Sequence, residues 1–263
     1  MMANSNPIGF FDSGIGGTSI WKEVTSLLPK ERTIYLSDSK NAPYGDRPTD
    51  EIIALAIKNT EFLLEKNCKL IVVACNTATT NAITYLRNTY TVPFIGIEPA
   101  IKPAALKTRT NKIGILATKG TLNSALFEKT SSTIKQHIHI KETIGKGLVP
   151  LIEAGKIASK EMQTLLASYI TPMLEENIDC LVLGCTHYPY LIPYIKKIAG
   201  NRLTIIDSGQ AVAKQTKVVL TKHECISDTA SNAQYHFYIN SKKTVLENIL
   251  KGQDKIKITE QDF

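Results

Sequence analysis

Two cysteines stand where a parallel sheet would present them to a ligand. Cys75 and Cys185 each follow a short apolar run that has the composition of a buried strand. The residues directly behind them carry amide, hydroxyl and imidazole groups: Asn76, Thr77, Thr186 and His187. Ligands of open parallel sheets bind at the carboxyl ends of strands, where such donors can hold a carboxylate. We therefore predict that both thiols take part in chemistry.

The remaining thiols have a simpler interpretation. Cys68 and Cys180 lie before and within apolar runs, as small core residues do, and Cys225 in a polar segment is incidental. Five cysteines, an odd number, favour free thiols in a reducing compartment. The first seven residues have neither the basic start nor the apolar core of a secretion signal, so a cytoplasmic location is expected.

A comparison of the chain with itself shows two matched segments. Residues 67–75 and 177–185 share an asparagine, a strand-like run and a cysteine, at an offset of 110 residues. Residues 8–13 and 113–118 share the pattern Ile-Gly-apolar-apolar-x-hydroxyl, at an offset of 105. Two similar offsets predict two halves of the same design, each presenting one thiol at the end of a strand.

The elements that must position the thiols follow an alternating pattern. Short β-branched runs alternate with helical segments, which is typical of a parallel sheet covered by helices on both faces. Strands are predicted at residues 8–11, 33–36, 70–74, 94–97, 113–116, 181–183, 203–206, 235–239 and 256–258. Helices are predicted at residues 18–28, 50–66, 77–88, 121–131, 160–176, 189–198 and 210–221, with another between the last two strands.

These patterns predict an α/β fold of two pseudo-symmetric domains with mainly parallel sheets and an active site in the cleft between them. The boundary falls near the Glu98–Pro99 step, where a proline follows a strand. We expect residues 1–98 and 208–263 to form a discontinuous first domain that carries Cys75. Residues 99–207 would form the second domain, which carries Cys185.

Composition excludes several classes of protein. The chain has 263 residues, of which 43% are hydrophobic and 21% charged, as in a globular enzyme. Its longest apolar runs fall far short of the roughly 18 to 20 residues that span a bilayer, so no membrane association is expected. The net charge of +7 comes from 31 basic and 24 acidic residues spread thinly along the chain. This spread predicts a solvated surface and no nucleic-acid partner.

The glycine-rich loop at residues 12–18 follows a strand and precedes a helix. Its spacing fits neither the dinucleotide fingerprint nor a P-loop, since Ser19 stands where the fingerprint needs a third glycine and no Gly-Lys pair precedes a serine or threonine. The glycines are expected to bring the backbone close to a small ligand, with Asp12 and Ser13 facing the pocket. Residues 41–46 form a second turn-rich segment, a lid or a surface loop.

Taken together, these motifs resemble those of the bacterial glutamate racemases, in the aspartate/glutamate racemase family. The resemblance runs in order from about residue 8 to residue 209. It rests on Asp-Ser-Gly-Ile-Gly-Gly at 12–17, Pro-Tyr-Gly at 43–45, Ala-Cys-Asn-Thr at 74–77, Ala-Thr-Lys-Gly-Thr at 117–121 and Gly-Cys-Thr-His-Tyr-Pro at 184–189. Tyr190, where an aliphatic residue is expected, is a departure outside these motifs.

The resemblance implies a racemase that needs no cofactor and uses two bases. Inverting a stereocentre independently requires two acid/base groups, because one proton leaves one face of the α-carbon and another arrives at the opposite face. The matching positions are Cys75, which the family assigns to D-glutamate, and Cys185, which it assigns to L-glutamate. Asp12 would assist proton transfer on the Cys75 side and His187 on the Cys185 side.

The resemblance also implies a set of substrate-binding residues. These are Asp12, Ser13, Tyr44, Gly45, Asn76, Thr77, Thr121, Thr186 and His187, with Pro43, Thr118 and Glu153 as further candidates. Glu153 is expected either to relay protons or to bind the ammonium group. The family further implies glutamate as substrate, supply of D-glutamate for peptidoglycan, and a homodimer.

Two alternatives stay open at this point, and two others are not expected. A related racemase could act on aspartate or another acidic amino acid, which pocket depth would decide. A non-catalytic module could close two lobes on an amino acid, although a binder has no need of paired thiols. A zinc site at Cys75, Cys185 and His187 fits no compact finger spacing, so no metal is expected. No signature of a pyridoxal-phosphate enzyme is present.

Overall fold

The computed structural model describes residues 5–227 and 233–263. It contains ten strands: β1 (Ile8–Asp12), β2 (Thr33–Ser37), β3 (Leu70–Val73), β4 (Phe94–Gly96), β5 (Lys112–Ala117), β6 (His139–Ile144), β7 (Cys180–Gly184), β8 (Thr204–Ile206), β9 (Tyr235–Ile239) and β10 (Ile256–Glu260). All nine predicted strands are confirmed to within a few residues. Strand β6 was not predicted.

The helices are α1 (Thr18–Leu27), α2 (Thr49–Glu65), α3 (Asn76–Thr89), α4 (Ile101–Lys107), α5 (Lys119–Leu122), α6 (Ala125–Lys135), α7 (Leu148–Glu153), α8 (Lys160–Glu175), α9 (Ile192–Ala199), α10 (Gly209–Lys222) and α11 (Thr244–Leu250). Short 3-10 turns cover Ser39–Asn41, Tyr44–Asp46 and Tyr188–Leu191. The helix predicted over residues 121–131 is wrong in one respect, because it is two helices. Ser124 ends the continuity by capping α6, its hydroxyl accepting the Phe127 N–H at 3.3 Å.

Two parallel sheets carry the fold. The first has the strand order β10-β9-β2-β1-β3-β4 and the second β6-β5-β7-β8. The order β2-β1-β3-β4 is therefore repeated as β6-β5-β7-β8, which confirms the pseudo-symmetry predicted from the matched segments. Strands β9 and β10 extend the first sheet beyond β2. The division of the chain into domains at residues 98 and 207 stays a prediction.

The matched asparagines have a common backbone role. Asn67 and Asn177 follow the helices α2 and α8, and both adopt a left-handed φ of 58°. Asparagine tolerates this conformation better than other residues with a Cβ atom, so it can end a helix and turn the chain into the next strand. Each asparagine thus sends the chain into the strand that ends just before a thiol, β3 or β7.

The core is built on the strands, most of whose side chains are fully buried. Away from the thiols, Trp21 packs edge-on against Phe237, with ring centroids 4.9 Å apart, and donates to the Thr33 hydroxyl at 2.8 Å. A buried ion pair joins Lys69 Nζ to Glu31 Oε2 at 2.7 Å. Among the described residues, no helix has the length and apolar character that crossing a bilayer demands. Residues 1–4, part of the segment behind the localisation prediction, lie outside this range.

Candidate active site

The carboxyl ends of the central strands of both sheets face one another. Asp12 ends β1, Cys75 follows β3, Thr118 follows β5 and Cys185 follows β7. Burial is nearly complete, with Cys75 4% exposed and Cys185 6% exposed. The two halves are therefore closed on each other around the predicted thiols.

Cys75 occupies the N-cap of α3. Its sulfur accepts the Ala78 N–H at 3.4 Å, and its thiol donates to the Ser13 hydroxyl at 3.7 Å. Burial raises the pKa of Cys75 well above its ordinary value, and the charges of Asp12 and Cys185 raise it further, although the Ala78 N–H opposes this. This residue is accordingly held as a thiol, ready to donate a proton.

Asp12 joins the two halves beside Cys75. One carboxyl oxygen accepts the Gly17 N–H at 2.7 Å, and the other accepts the Thr186 hydroxyl at 3.3 Å from the second half. Burial raises the pKa of Asp12, and the positive charge of His187 only partly offsets this. A carboxyl group whose pKa is raised takes up a proton more readily than a free one, which suits an acid/base helper.

Cys185 has a different neighbour. Its Sγ lies 3.7 Å from His187 Nδ1, and His187 Nε2 lies 2.6 Å from Glu153 Oε1. Burial lowers the pKa of His187, but hydrogen bonds to Cys185 and Glu153 outweigh it and hold that pKa well above its ordinary value. A protonated ring donates from Nδ1 to the sulfur and from Nε2 to the carboxylate. The Gly16 N–H, 3.2 Å from Nε2, suits only the neutral ring.

The glycine-rich loop is shaped by this His–Glu pair. A Cβ atom on Gly14 would lie 1.9 Å from Glu153 Oε1, and one on Gly16 would lie 2.2 Å from His187 Nδ1. The Ile15 N–H donates to Glu153 Oε1 at 2.7 Å. These glycines therefore leave room for the Glu153 and His187 side chains. That the loop also comes close to a small ligand stays a prediction.

Three of the predicted binding residues form a hydroxyl cluster across the two halves. The Thr77 hydroxyl lies 2.7 Å from that of Thr118 and 3.3 Å from that of Thr121, and the latter two are 3.0 Å apart. Gly45 packs against this cluster so closely that a Cβ atom there would lie 2.6 Å from the Thr118 Cβ. These hydroxyls could hold a carboxylate or an ammonium group at the seam between the halves.

The remaining predicted binding residues differ in whether their polar atoms are available to a ligand. Asn76 is buried, and within the described part of the chain its Oδ1 has no hydrogen-bond partner, so it can accept from a ligand. Tyr44 is buried too, but its hydroxyl donates to Asp38 and accepts from Asn59 at 3.0 Å. Any ligand contact of Tyr44 would therefore come from its backbone or ring. Pro43 lines a cavity of about 30 Å³ at the seam.

Two residues near the site, Ser39 and Asp38, were not predicted from the sequence. Ser39 donates to Glu153 Oε2 at 2.9 Å, and Asp38 anchors the turn that holds Tyr44. Asp38 follows β2 much as Asp12 ends β1, which was the available signal. Among the described residues, no group of three or more His, Cys, Asp or Glu side chains is arranged to hold a metal ion.

Comparisons with known proteins find similar sequences over most of the chain. The family described as Asp/Glu/Hydantoin racemase matches residues 18–216. The glutamate racemase of Cupriavidus pinatubonensis is 46% identical over 221 residues, which cover 84% of this chain and 81% of that protein.

Solved structures are similar over nearly the whole chain. A glutamate racemase isoform from Bacillus anthracis has a TM-score of 0.87 at 30% identity, covering 99% of this chain and 98% of its own. Glutamate racemase from Francisella tularensis in complex with D-glutamate has a TM-score of 0.84 at 28% identity, covering 98% of both chains.

Proposed function

The chain belongs to the Asp/Glu/Hydantoin racemase family and is an amino-acid racemase, and we propose that it interconverts L- and D-glutamate by a two-base mechanism without a cofactor. One observation carries the mechanism. Cys75 and Cys185 follow equivalent strands of the two halves, lie buried in one site, and each has its own acid/base neighbour. Two such groups on opposite sides of one α-carbon are what inversion needs.

The protonation of the two sides sets the direction of proton flow. Cys75 is held as a thiol, while protonated His187 is placed to donate to Cys185 as a thiolate. Cys185 would then remove the α-proton of L-glutamate, and Cys75 would deliver its proton to the opposite face, leaving D-glutamate and a Cys75 thiolate. The reverse reaction runs from that state. This assignment of enantiomers follows the family resemblance.

The free-energy cost of forming a thiolate at neutral pH is small enough for hydrogen bonds to offset. Ionising a free cysteine at pH 7 costs about 2 kcal/mol, since its pKa is about 8.5 and one unit corresponds to about 1.36 kcal/mol. One or two charge-assisted hydrogen bonds of roughly 1.5 to 3 kcal/mol each offset this cost. His187 supplies such a donor at Cys185. At Cys75, whose pKa burial raises well above its ordinary value, the Ala78 N–H and Ser13 lower the cost of the thiolate without cancelling it.

Substrate binding is proposed at the seam between the halves. The free Asn76 Oδ1 suits the ammonium group of the substrate, and the hydroxyls of Thr77, Thr121 and Thr186 suit its carboxylates. Glu153 is engaged by His187 and by the Ile15 N–H, which supports the proton-relay interpretation over direct ammonium binding.

The choice of glutamate over aspartate rests on the relatives. The similar protein from Cupriavidus pinatubonensis is a glutamate racemase, and the Francisella tularensis enzyme was solved with D-glutamate. We further propose that the product supplies peptidoglycan synthesis, that the enzyme works in the cytoplasm, and that it forms a homodimer, all on the strength of family resemblance.

Deuterium labelling tests the reaction and its two-base character together. Purified protein is incubated with L-glutamate in deuterated water without added cofactor, with L-aspartate in a parallel reaction. We expect glutamate to lose optical rotation, and early D-glutamate to carry α-deuterium while recovered L-glutamate carries little. Unchanged rotation with no label would refute glutamate racemisation. Rapid labelling of recovered L-glutamate would indicate a single exchangeable base, and faster turnover of aspartate would correct the substrate.

A further inference from the structure

Asp38 is a fully buried carboxyl group outside the acid/base machinery. It follows β2, and its N–H donates to the Asp12 carbonyl at 3.0 Å, which ties it to the strand end that carries Asp12. Its Oδ1 accepts from Asn41 Nδ2 at 2.8 Å and from Asn240 Nδ2 at 2.5 Å, and its Oδ2 accepts the Tyr44 hydroxyl. Three donors on one side chain fit the acceptor-only character of a carboxylate.

Asn240 brings the C-terminal segment into this cluster. It follows β9, beyond the residues that the family match covers. Besides its bond to Asp38, its Oδ1 accepts the Lys40 N–H at 2.9 Å, and its own N–H donates to the Ser37 carbonyl at 3.4 Å. Asn240 thus holds both the side chain of Asp38 and the backbone on either side of it.

Tyr44 connects the Asp38 cluster to the seam between the halves, because its hydroxyl binds Asp38 and its turn packs against the second half. It begins the turn Tyr44–Asp46, and a Cβ atom on Gly120, from the second half, would lie 3.2 Å from the Gly45 Cα and 2.8 Å from Thr77 Cγ2. Such close packing leaves the turn little room to shift without moving the Thr77 hydroxyl cluster.

We propose that Asp38 and Asn240 are positioning residues for racemisation, which hold the Tyr44–Asp46 turn against the hydroxyl cluster of Thr77, Thr118 and Thr121. This role rests on the proposed function, because it gives the turn a place in glutamate binding. The C-terminal strands therefore serve the reaction through Asn240, without touching the reacting atoms.

The test compares two variants with a matched control. Asn240→Ala removes one donor to Asp38, and Tyr44→Phe removes the hydroxyl but keeps the ring. Thr33→Val is the control, because it deletes a buried hydrogen bond, the one from Trp21, at the start of β2, whereas Asp38 follows the other end of that strand. KM and kcat for glutamate, D-glutamate affinity by calorimetry, and melting temperature are measured for all four proteins.

Both test variants should raise KM and weaken D-glutamate affinity about three- to tenfold, the effect of one net hydrogen bond, while kcat changes less than about twofold. Thr33→Val should lower the melting temperature and leave KM unchanged. Unchanged KM and affinity in both test variants, or an equal change in Thr33→Val, would overturn the positioning role. Failure of the unaltered protein to racemise glutamate would refute the proposed function instead, and calorimetry would still decide whether the network supports binding.

Discussion

The two halves place a thiol at the same point of the same fold but give it different helpers. By the offsets of the matched segments, the counterpart of Asp12 in the second half is Ala117, and the counterpart of His187 in the first half is Thr77. The acid/base group next to Cys75 is therefore a carboxyl group, that of Asp12, whereas the one in contact with Cys185 is the imidazole of His187. A two-base racemase needs one base protonated while the other is not, so a symmetric scaffold with asymmetric helpers suits the reaction.

Removing either thiol should have the largest effect. Cys75→Ala and Cys185→Ala should each lower racemisation about a thousandfold or more, because one face of the α-carbon then has no proton carrier. Under the proposed assignment, Cys75→Ala still exchanges the α-proton of L-glutamate with solvent, and Cys185→Ala that of D-glutamate. Proton magnetic resonance in deuterated water measures both. Wild-type racemisation by either variant would refute the role of that cysteine.

His187→Asn should cost less, about a hundredfold in kcat/KM, the usual range for one acid/base helper. Because the pKa of His187 is raised, the donor to Cys185 is present at low and neutral pH and is lost as pH rises through that raised value. The unaltered enzyme should therefore show an alkaline decline in kcat/KM that the variant lacks. A pH–rate profile from pH 6 to about 10 measures this, within the range where such groups titrate. An identical alkaline limb in both proteins would contradict the assignment.

Asp12→Asn should separate activity from stability. The raised pKa of Asp12 means that folding favours its protonated form, so its ionisation lowers stability as pH rises from the unfolded value through the folded one. A neutral amide avoids this cost and can still accept the Gly17 N–H. We expect the melting temperature at pH 7.5 to rise while activity falls. A lower melting temperature would show that the ionised carboxylate stabilises the fold.

Cys180→Ala should have the smallest effect on activity. Cys180 begins β7, the strand that ends next to Cys185, and lies in the core of the second half. Truncating it should reduce the free energy of unfolding by about 1 kcal/mol through lost packing and leave kcat/KM within about twofold. Denaturant unfolding measures the change in stability, and steady-state kinetics measures kcat/KM. Loss of activity as large as in Cys185→Ala would show that the contrast between core and active-site thiols is wrong.

Much of the fold was predictable because the buried strands are short apolar runs with clear ends. Strand β6 was not predicted because it is an edge strand. Its residues, such as Lys141 and Glu142, are polar and are not buried in the core, so no apolar run marks it in the sequence. Helices α4 and α7 were missed for another reason. Each is short and has a proline as its third residue, Pro103 or Pro150, which the first turn of a helix tolerates but a pattern search treats as a break.

The sequence indicates the candidate residues of the site better than their contacts. The matched segments distinguish Cys75 and Cys185 from the three other thiols, and the structure places both at strand ends. No local pattern could show that Glu153 meets His187, 34 residues away, or that both fill the space left by Gly14 and Gly16. Such contacts depend on how the two halves meet, which sequence periodicity does not encode.

A crystal structure with bound D-glutamate would show directly whether two bases flank the substrate. We expect the sulfurs of Cys75 and Cys185 on opposite faces of its α-carbon, each about 3.5 Å from it, close to a distance for reaction. Asp12 should remain beside the first sulfur and His187 beside the second. Both sulfurs on one face, or either sulfur beyond about 6 Å with the site closed, would contradict the two-base mechanism.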